Sequence, residues 1–316
     1  MKKILIVGTG VIGCVYGWQL SQTGCTVTHF VRKGNKAEID ADGIIIRCLD
    51  TRNNRKSQTE ILYKPRTEEE IENEGRYDLI IVPVKVNQIS SVLPLLAKTD
   101  TTILFLQNLW MNHIQLIEEK LADANIVYGQ AHIAGGGKQG NTVTCTIFGS
   151  KNAHTMLGVK NGCAAGQVNQ ISEIMARADL NPYISKNIAA WLLSHYAEAN
   201  GLIAGVMEAG AAKNYVSGKA YIRHSVKMIR ERFKVCSALG LKVWRIYPQV
   251  LYYFPMWCLA PVLQKMYSTD ESQLMIENHI KHSPNEMKQM FIDVMNTGES
   301  LHIAMPCYAR MKKYTD

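Results

Sequence analysis

The sequence lacks several features that mark other classes of protein. Its eight cysteines lie far apart and form no C-x-x-C pair, which argues against a zinc site and against a disulfide framework. No repeat or low-complexity tract is present. The most apolar stretch, residues 250–263, is short and contains Pro255 and Pro261, so we do not expect it to span a bilayer. These absences predict no metal centre and no membrane partner.

The bulk composition is that of a globular protein, with 47% hydrophobic and 20% charged residues. A chain of 316 residues is long enough for two domains, each with its own core. The net charge of +8 favours anionic ligands such as phosphates. Because the basic residues are scattered and no nucleic-acid-binding module is visible, we expect no nucleic-acid partner.

The strand pattern begins almost at the first residue and leaves no room for a signal peptide, so we expect a cytoplasmic protein.

The beginning of the chain carries a dinucleotide-binding pattern. Residues 3–7 are typical of a buried strand, Gly8, Gly10 and Gly13 have the spacing G-x-G-x-x-G, and residues 14–22 have a helical pattern. The glycines allow a tight turn, close approach of the backbone to a pyrophosphate, and close packing of helix on strand. Free N–H groups at the helix N-terminus would bind the phosphates. The alternative is a glycine-rich turn in an ordinary βαβ unit. The predicted cofactor-binding residues of this turn are Gly8, Thr9, Gly10, Val11, Ile12 and Gly13.

The second predicted strand, residues 26–31, ends at Arg32 and Lys33. This is the position, about 20 residues past the glycine turn, where NAD-dependent enzymes carry an acidic residue for the ribose 2′-hydroxyl. A basic pair attracts a 2′-phosphate instead, and Arg32 can bind it bidentately. The alternative is a solvated loop after a strand. We therefore predict NADP(H) as the cofactor, bound by Arg32 and Lys33.

Polar side chains follow two further buried strands, residues 78–84 and 102–106. Ligands of doubly wound sheets bind in the crevice outside the carboxyl ends of the strands. Side chains at these ends are therefore candidates for the cofactor site, the alternative for each being a plain surface residue or a helix cap. These candidates are Lys85, Gln88, Gln107 and Asn108.

The remaining patterns divide the chain into two domains. Residues 44–49 and 60–63 predict a strand pair, and residues 126–129 and 142–148 are predicted to extend the sheet. Beyond residue 167 the patterns are almost entirely helical, with predicted helices over 168–178, 185–199, 218–239, 270–282 and 284–299. We predict an α/β protein: a Rossmann-type doubly wound domain over residues 1–164, followed by an all-helical domain over residues 165–316.

This arrangement resembles the ketopantoate reductase family, whose members reduce 2-dehydropantoate to pantoate with NADPH. The resemblance covers essentially the whole chain. It implies that the first domain holds NADPH, that the helical domain closes over the substrate and forms a homodimer, and that the product enters pantothenate biosynthesis. It is carried by the glycine turn, Val31-Arg32, Lys85-x-x-Gln88, Gln107-Asn108, Trp191, residues 237–240, Asn285-Glu286 and Pro306.

The resemblance also assigns roles to particular residues. Asn108 would lie near the nicotinamide, and Glu286 would orient the substrate. The family lysine that protonates the forming alkoxide is absent, whichever of two registers aligns the helix that contains Trp191. The positions of this lysine and of two asparagines are Leu193, Ala197 and Gly201 in one register, and Leu192, Tyr196 and Asn200 in the other.

Another group must then supply the proton if the protein is a reductase. His195 is one candidate, because a histidine has an ordinary pKa near 6.5. Lys186 and Glu198 are others, although Lys186 can be solvated and His195 and Glu198 can pair on an exposed face. The predicted catalytic residues are Glu286, Asn200 and His195.

Two functions follow from these predictions. The first is an NADPH-dependent reductase that acts on 2-dehydropantoate or a related carbonyl substrate. The second is a regulatory or redox-sensing protein that binds NADPH and has lost turnover, because leucine replaces the family lysine. The loss of polar residues predicts a more apolar cleft. The aromatic run within residues 250–263 would line that cleft, belong to a core or form a subunit contact.

Overall fold

The computed structural model of the chain describes residues 2–71, 76–97, 99–160 and 164–314. Packing divides the chain into two compact units. Unit 1 comprises residues 1–107 and 113–189, and unit 2 comprises residues 108–112 and 190–316. The cysteines within the described residues are free thiols, five of them buried, and Cys163 lies outside those residues.

Unit 1 contains the strands of the described chain, which form two sheets. Their bounds are Lys3–Val7 (β1), Thr26–Phe30 (β2), Ile44–Asp50 (β3), Ser57–Tyr63 (β4), Arg66–Glu68 (β5), Leu79–Val82 (β6), Ile103–Leu106 (β7), Ile126–Ala131 (β8), Ala134–Gln139 (β9), Thr142–Ile147 (β10), Thr155–Gly158 (β11) and Pro182–Ile184 (β12).

The first sheet has the order β12-β11-β8-β7-β6-β1-β2-β5. Strands β2, β1, β6, β7 and β8 are neighbours in parallel, so their carboxyl ends lie at one edge. Strand β1 is central, and its residues Ile4, Leu5 and Ile6 are fully buried. A run of β-branched and aliphatic residues buried on both faces is typical of a parallel sheet. The Rossmann-type fold class predicted from the sequence is confirmed.

The second sheet is a correction to the prediction. Strand β10 was expected to extend the parallel sheet, but it pairs with β9 and β3 in a separate four-stranded sheet of order β4-β3-β10-β9. The glycine run 135–137 is part of strand β9. Periodicity identifies a strand but does not specify its partner, because pairing depends on residues distant in sequence.

Helices cover the first sheet and form nearly all of unit 2. Their bounds are Val11–Ser21 (α1), Lys36–Asp42 (α2), Ile89–Leu96 (α3), Met111–Lys120 (α4), Ala165–Arg177 (α5), Ile188–Ala209 (α6), Ala212–Ser217 (α7), Lys219–Ala238 (α8), Met256–Tyr267 (α9), Asp270–His282 (α10), Pro284–Ser300 (α11) and Pro306–Ala309 (α12). Single 3-10 turns cover Arg52–Asn54, Val86–Gln88, Val243–Arg245, Gln249–Tyr253 and Arg310–Tyr314.

Helix α6 differs most from its prediction, since it begins three residues later than expected and continues ten residues further, to Ala209. The pair Asn200-Gly201 does not end it, because both residues are buried in contacts with other helices of unit 2. Tertiary packing thus overrides the weak helical preference of glycine.

Helix α8 is the centre of unit 2 and packs against α7, α9, α11 and α12. Its buried residues Ile222, Val226, Ile229, Phe233 and Cys236 recur every three or four positions, as expected for one apolar helix face. No helix in the described part of the chain has both the length and the apolarity needed to cross a membrane.

The sequence-based domain boundary and the packing units differ. The prediction placed the boundary after residue 164, whereas unit 1 continues to residue 189. Helix α5 packs on β11 and β12, and β12 pairs with β11 at the edge of the first sheet. These contacts place α5 and β12 with the sheet, although both follow the change in sequence pattern.

Candidate active site

The glycine turn joins β1 to α1 at the carboxyl edge of the first sheet. Gly8 has φ +91°, a conformation that favours glycine, and its N–H donates to Phe30 O at 2.8 Å. A Cβ on Gly13 would lie 3.0 Å from Gly8 O and 3.3 Å from Ile6 Cγ2, so this glycine permits α1 to pack closely on β1. A Cβ on Gly10 would meet nothing within 4 Å. The backbone at Gly10 is therefore open to a ligand.

The first turn of α1 has the features of an anion site. Gly10 is the N-cap residue and no side chain caps the helix. The N–H groups of a first turn lack partners within the helix and carry its positive dipole end. A pyrophosphate would satisfy them, so the residues present fit the dinucleotide that the sequence pattern predicts.

Side chains from two other strands hold the carbonyl groups of this turn. His29 on β2 contacts Gly8 O through Nδ1 at 2.9 Å and Tyr63 Oη through Nε2 at 3.1 Å. Lys138 on β9 donates from Nζ to Thr9 O at 2.8 Å. Burial lowers the pKa of His29 to about 4, so the ring is neutral at physiological pH. Neither residue was predicted, because neither lies near the glycine motif in sequence.

The basic pair after β2 is exposed. Arg32 and Lys33 precede Gly34, which has φ +90°. The Glu69 carboxylate accepts hydrogen bonds from the N–H groups of Gly34 at 2.7 Å and Lys36 at 3.4 Å, which anchors the loop. Within the described residues Arg32 forms no ion pair, so its guanidinium is available to an anion.

The other predicted cofactor residues lie at the ends of β6 and β7. Lys85 and Gln88 are half-buried; Lys85 is the N-cap residue of the 3-10 turn Val86–Gln88, and Gln88 is its last residue. The Gln107 amide, oriented to suit its neighbours, donates to Val82 O at 2.6 Å and thus ties the ends of two strands together. Asn108 belongs to unit 2. Its proximity to the nicotinamide stays a prediction.

In unit 2, Asp293 on α11 is buried, and its carboxylate accepts hydrogen bonds from side chains of α4, α6 and α11. The donors include Tyr196 Oη at 2.6 Å, Gln289 Nε2 at 2.9 Å and Asn112 Nδ2 at 3.1 Å. The ring of Trp110 stacks on that of Tyr196 with centroids 5.4 Å apart. The Tyr196–Asp293 pair was not foreseen from the sequence.

The predicted catalytic residues also lie in unit 2. Glu286, in the first turn of α11, is buried with 5% of its surface exposed. Asn200 is buried, and its Oδ1 accepts hydrogen bonds from Tyr308 Oη and, at 3.3 Å, from Arg232 Nη1. His195 is half-buried and stacks on Trp191 with ring centroids 4.9 Å apart.

The two candidate registers of helix α6 share one partner and differ in another. Tyr196 and Asn200 bond to groups on α11, the helix that contains Glu286. Asn200 and Gly201 both lie against Arg232 on α8. The positions of the family lysine, Leu192 and Leu193, are both buried.

Burial decides one sequence-based alternative and bears on another. Glu198 does not lie on an exposed face, since it is buried and accepts a hydrogen bond from Gln249 Nε2 at 2.6 Å. The aromatic residues within 250–263 differ in burial, since Tyr252 is buried whereas Trp257 is 81% exposed. Among the described residues, no group of three or more His, Cys, Asp or Glu side chains is arranged to hold a metal ion.

The glycine turn at the carboxyl edge of a parallel sheet places unit 1 in the class of Rossmann-type domains. Residues 4–160 match the family described as "Ketopantoate reductase PanE/ApbA". Through this segment the chain belongs to the ketopantoate reductase family of oxidoreductases. No curated protein matches the chain at a significant level.

Solved structures of other proteins share the fold over nearly the whole chain. D-mandelate dehydrogenase in complex with NADH is 18% identical, covers 99% of this chain and 97% of its own, and has a TM-score of 0.74. The 2-dehydropantoate 2-reductase from Geobacter metallireducens GS-15 is 20% identical, covers 99% and 98%, and has a TM-score of 0.73. A dimeric ketopantoate reductase from Staphylococcus aureus is 15% identical, covers 99% and 98%, and has a TM-score of 0.67. These similarities show a common fold.

Proposed function

We propose that the protein is an NADPH-dependent reductase of a 2-oxo acid or related ketone, with 2-dehydropantoate as the first substrate to test. The observation that carries this proposal is the open glycine turn at the uncapped start of α1. Gly8, Gly10 and Gly13 with the first turn of α1 would hold the pyrophosphate. The nicotinamide supplies the hydride when it is bound. Membership of an oxidoreductase family supports this assignment.

The residues that follow β2 support a preference for NADPH over NADH. Arg32 and Lys33 are exposed there, and the Glu69 carboxylate is bonded to loop N–H groups. A guanidinium binds a phosphate with two parallel charge-assisted hydrogen bonds, whereas it gains little from a 2′-hydroxyl. Lys85, Gln88 and Asn108 are proposed as further cofactor contacts.

On the substrate side we propose Glu286, Asn200 and His195 as the catalytic and orienting groups. Glu286 is a buried carboxylate in the first turn of a helix, where the helix dipole stabilises its charge. Asn200 is fixed by Tyr308 and Arg232, so its amide has one orientation. His195 is the proposed proton donor, because histidine is the side chain that most often transfers protons in general acid–base catalysis.

A second candidate function is that of a regulatory or redox-sensing protein that binds NADPH without turnover. The observation that favours it is the burial of Leu192 and Leu193 at the positions of the family lysine. Removing a group that neutralises a forming oxyanion costs about 100- to 1,000-fold in rate. We further propose a cytoplasmic homodimer that serves pantothenate biosynthesis, by similarity to the family.

A steady-state assay separates the two functions. NADPH oxidation is followed with 2-dehydropantoate and a panel of other 2-oxo acids, alongside calorimetry of NADPH binding. Turnover above about 1 s⁻¹ supports the reductase, whereas binding without turnover on any substrate supports the regulatory protein. Absence of NADPH binding contradicts both.

In an active enzyme, Glu286→Gln should lower kcat by about 100-fold. The control is Glu299→Gln, which changes an exposed residue of the same helix and should leave kcat unchanged.

A further inference from the structure

Strand β9 brings a lysine to the glycine turn from the second sheet. Lys138 pairs with Val143 across β9 and β10, and β9 packs against α1. Gly136, in the glycine run that precedes Lys138, allows β9 to lie close to β10. A Cβ on Gly136 would overlap Thr144 O, and Gly136 has φ +159°. The position of the lysine therefore depends on a sequence feature that the nucleotide fingerprint does not include.

The Lys138 ammonium contacts the middle residue of the turn. Its Nζ donates to Thr9 O at 2.8 Å and to Thr9 Oγ1 at 3.3 Å. An ammonium has three N–H donors, so one remains after these two bonds. Thr9 lies between Gly8 and Gly10, two of the three glycines at which we place the pyrophosphate.

The positive charge of Lys138 affects the pKa of two buried groups beside this turn, Cys14 and His29. Burial raises the pKa of the Cys14 thiol to about 12, and the nearby ammonium acts against that rise. Burial lowers the pKa of His29 to about 4, and the same ammonium adds to that lowering. Lys138 is half-buried, and across the described ranges it has no acidic partner in an ion pair. A phosphate bound beside this ammonium would supply the anionic partner of a charge-assisted hydrogen bond.

We propose that Lys138 is a phosphate ligand of the dinucleotide site, in which its free N–H donor binds a pyrophosphate oxygen. This inference rests on the proposed function, because it assumes that the glycine turn binds a nicotinamide dinucleotide. The pyrophosphate is common to NADPH and NADH. Lys138 therefore strengthens binding of both cofactors, whereas Arg32 discriminates between them.

The test compares Lys138→Met, which keeps the chain length and removes the charge, with Lys138→Arg, which keeps the charge. Fluorescence titration gives Kd for NADPH and NADH over a range of salt concentrations. We expect Lys138→Met to raise both Kd values by about tenfold and by the same factor, with a weaker salt dependence. We expect Lys138→Arg to retain affinity within about threefold.

A measurement on the wild-type protein covers the case in which Lys138→Met does not fold. Acetic anhydride labels lysines, and peptide mass spectrometry gives the rate at each position. Saturating NADPH should slow labelling of Lys138 and leave that of the exposed Lys151 unchanged. Equal rates with and without NADPH would overturn the proposal.

Two further outcomes count against it. If Lys138→Met binds both cofactors as tightly as wild type, Lys138 is not a ligand although the proposed function stands. If both variants weaken binding equally and the salt dependence is unchanged, the ammonium only shapes the turn. Failure of the wild-type protein to bind either cofactor would instead remove the proposed function and this inference together.

Discussion

The carbonyl oxygens of Gly8 and Thr9 are held by side chains that lie far from them in sequence. His29 contacts the first and Lys138 the second. A turn whose carbonyls are already bonded keeps its conformation without a ligand. The N–H groups at the start of α1 are then preorganised for phosphate, which lowers the entropic cost of binding.

Arg32 provides the simplest test of cofactor choice. We expect Arg32→Ala to weaken NADPH binding by about tenfold or more and NADH binding little, because only NADPH carries the 2′-phosphate. Fluorescence titration of both cofactors measures the ratio of Kd values. Arg55→Ala, an exposed arginine elsewhere in unit 1, is the matched control. Equal weakening of NADPH and NADH would remove the argument for NADP specificity.

Close helix packing in this protein depends on glycines within helices. A Cβ on Gly17 of α1 would lie 2.5 Å from His29 Nε2 and 2.7 Å from Tyr63 Oη. On α6, Gly201 makes room for the guanidinium of Arg232, which is fully buried. Such positions accept no side chain, because the facing polar group is itself fixed by hydrogen bonds.

We expect Gly201→Ala to destabilise unit 2 by about 2 kcal/mol, despite the better helix propensity of alanine. The added methyl would displace Arg232 from Asn200, to which it is hydrogen-bonded. Urea unfolding followed by circular dichroism gives the change in free energy.

The control for this variant is Gly166→Ala in α5, where a Cβ would meet nothing within 4 Å. There we expect no loss and a gain of up to about 1 kcal/mol. A Gly201→Ala protein as stable as wild type would show that Arg232 can move without cost.

The two units carry buried ionisable groups with opposite responses to pH. Burial lowers the pKa of His29 in unit 1 to about 4, so the unfolded chain holds the extra proton between that value and about 6.5. Stability from His29 is therefore lost as pH falls through this window. Burial raises the pKa of Glu198 in unit 2 to about 7 from 4.5, so the folded chain holds the proton there. Stability from Glu198 is lost as pH rises.

Each group should therefore change the pH profile in its own direction. As pH rises from 5 to 7, we expect the contribution of His29 to the free energy of unfolding to increase by about 2 kcal/mol. Over the same range we expect the contribution of Glu198 to decrease by about 2 kcal/mol. The difference between the free energies of unfolding at pH 7 and pH 5 should therefore be smaller in His29→Gln than in wild type. In Glu198→Gln the same difference should be larger than in wild type. Chemical unfolding at the two pH values measures both, and each variant is the control for the other. Profiles parallel to that of wild type would contradict the assigned burial effects.

The local sequence pattern was sufficient to predict the elements that define the fold class of this protein. The strand Lys3–Val7, the glycine turn and helix Asp270–His282 were predicted closely, because apolar periodicity and glycine conformations act within a few residues. The same pattern indicated which side chains follow strand ends. The basic pair at Arg32 is located by this pattern alone.

Which of these elements contact one another is decided only by the tertiary structure. The second sheet joins β3 to β10, about a hundred residues further along the chain, and this pairing delivers Lys138 to Thr9. The Tyr196–Asp293 bond and the burial of Arg232 against Gly201 likewise join distant segments. Which residues meet across such separations follows from the packing of complete elements, and no local pattern of hydrophobicity encodes it.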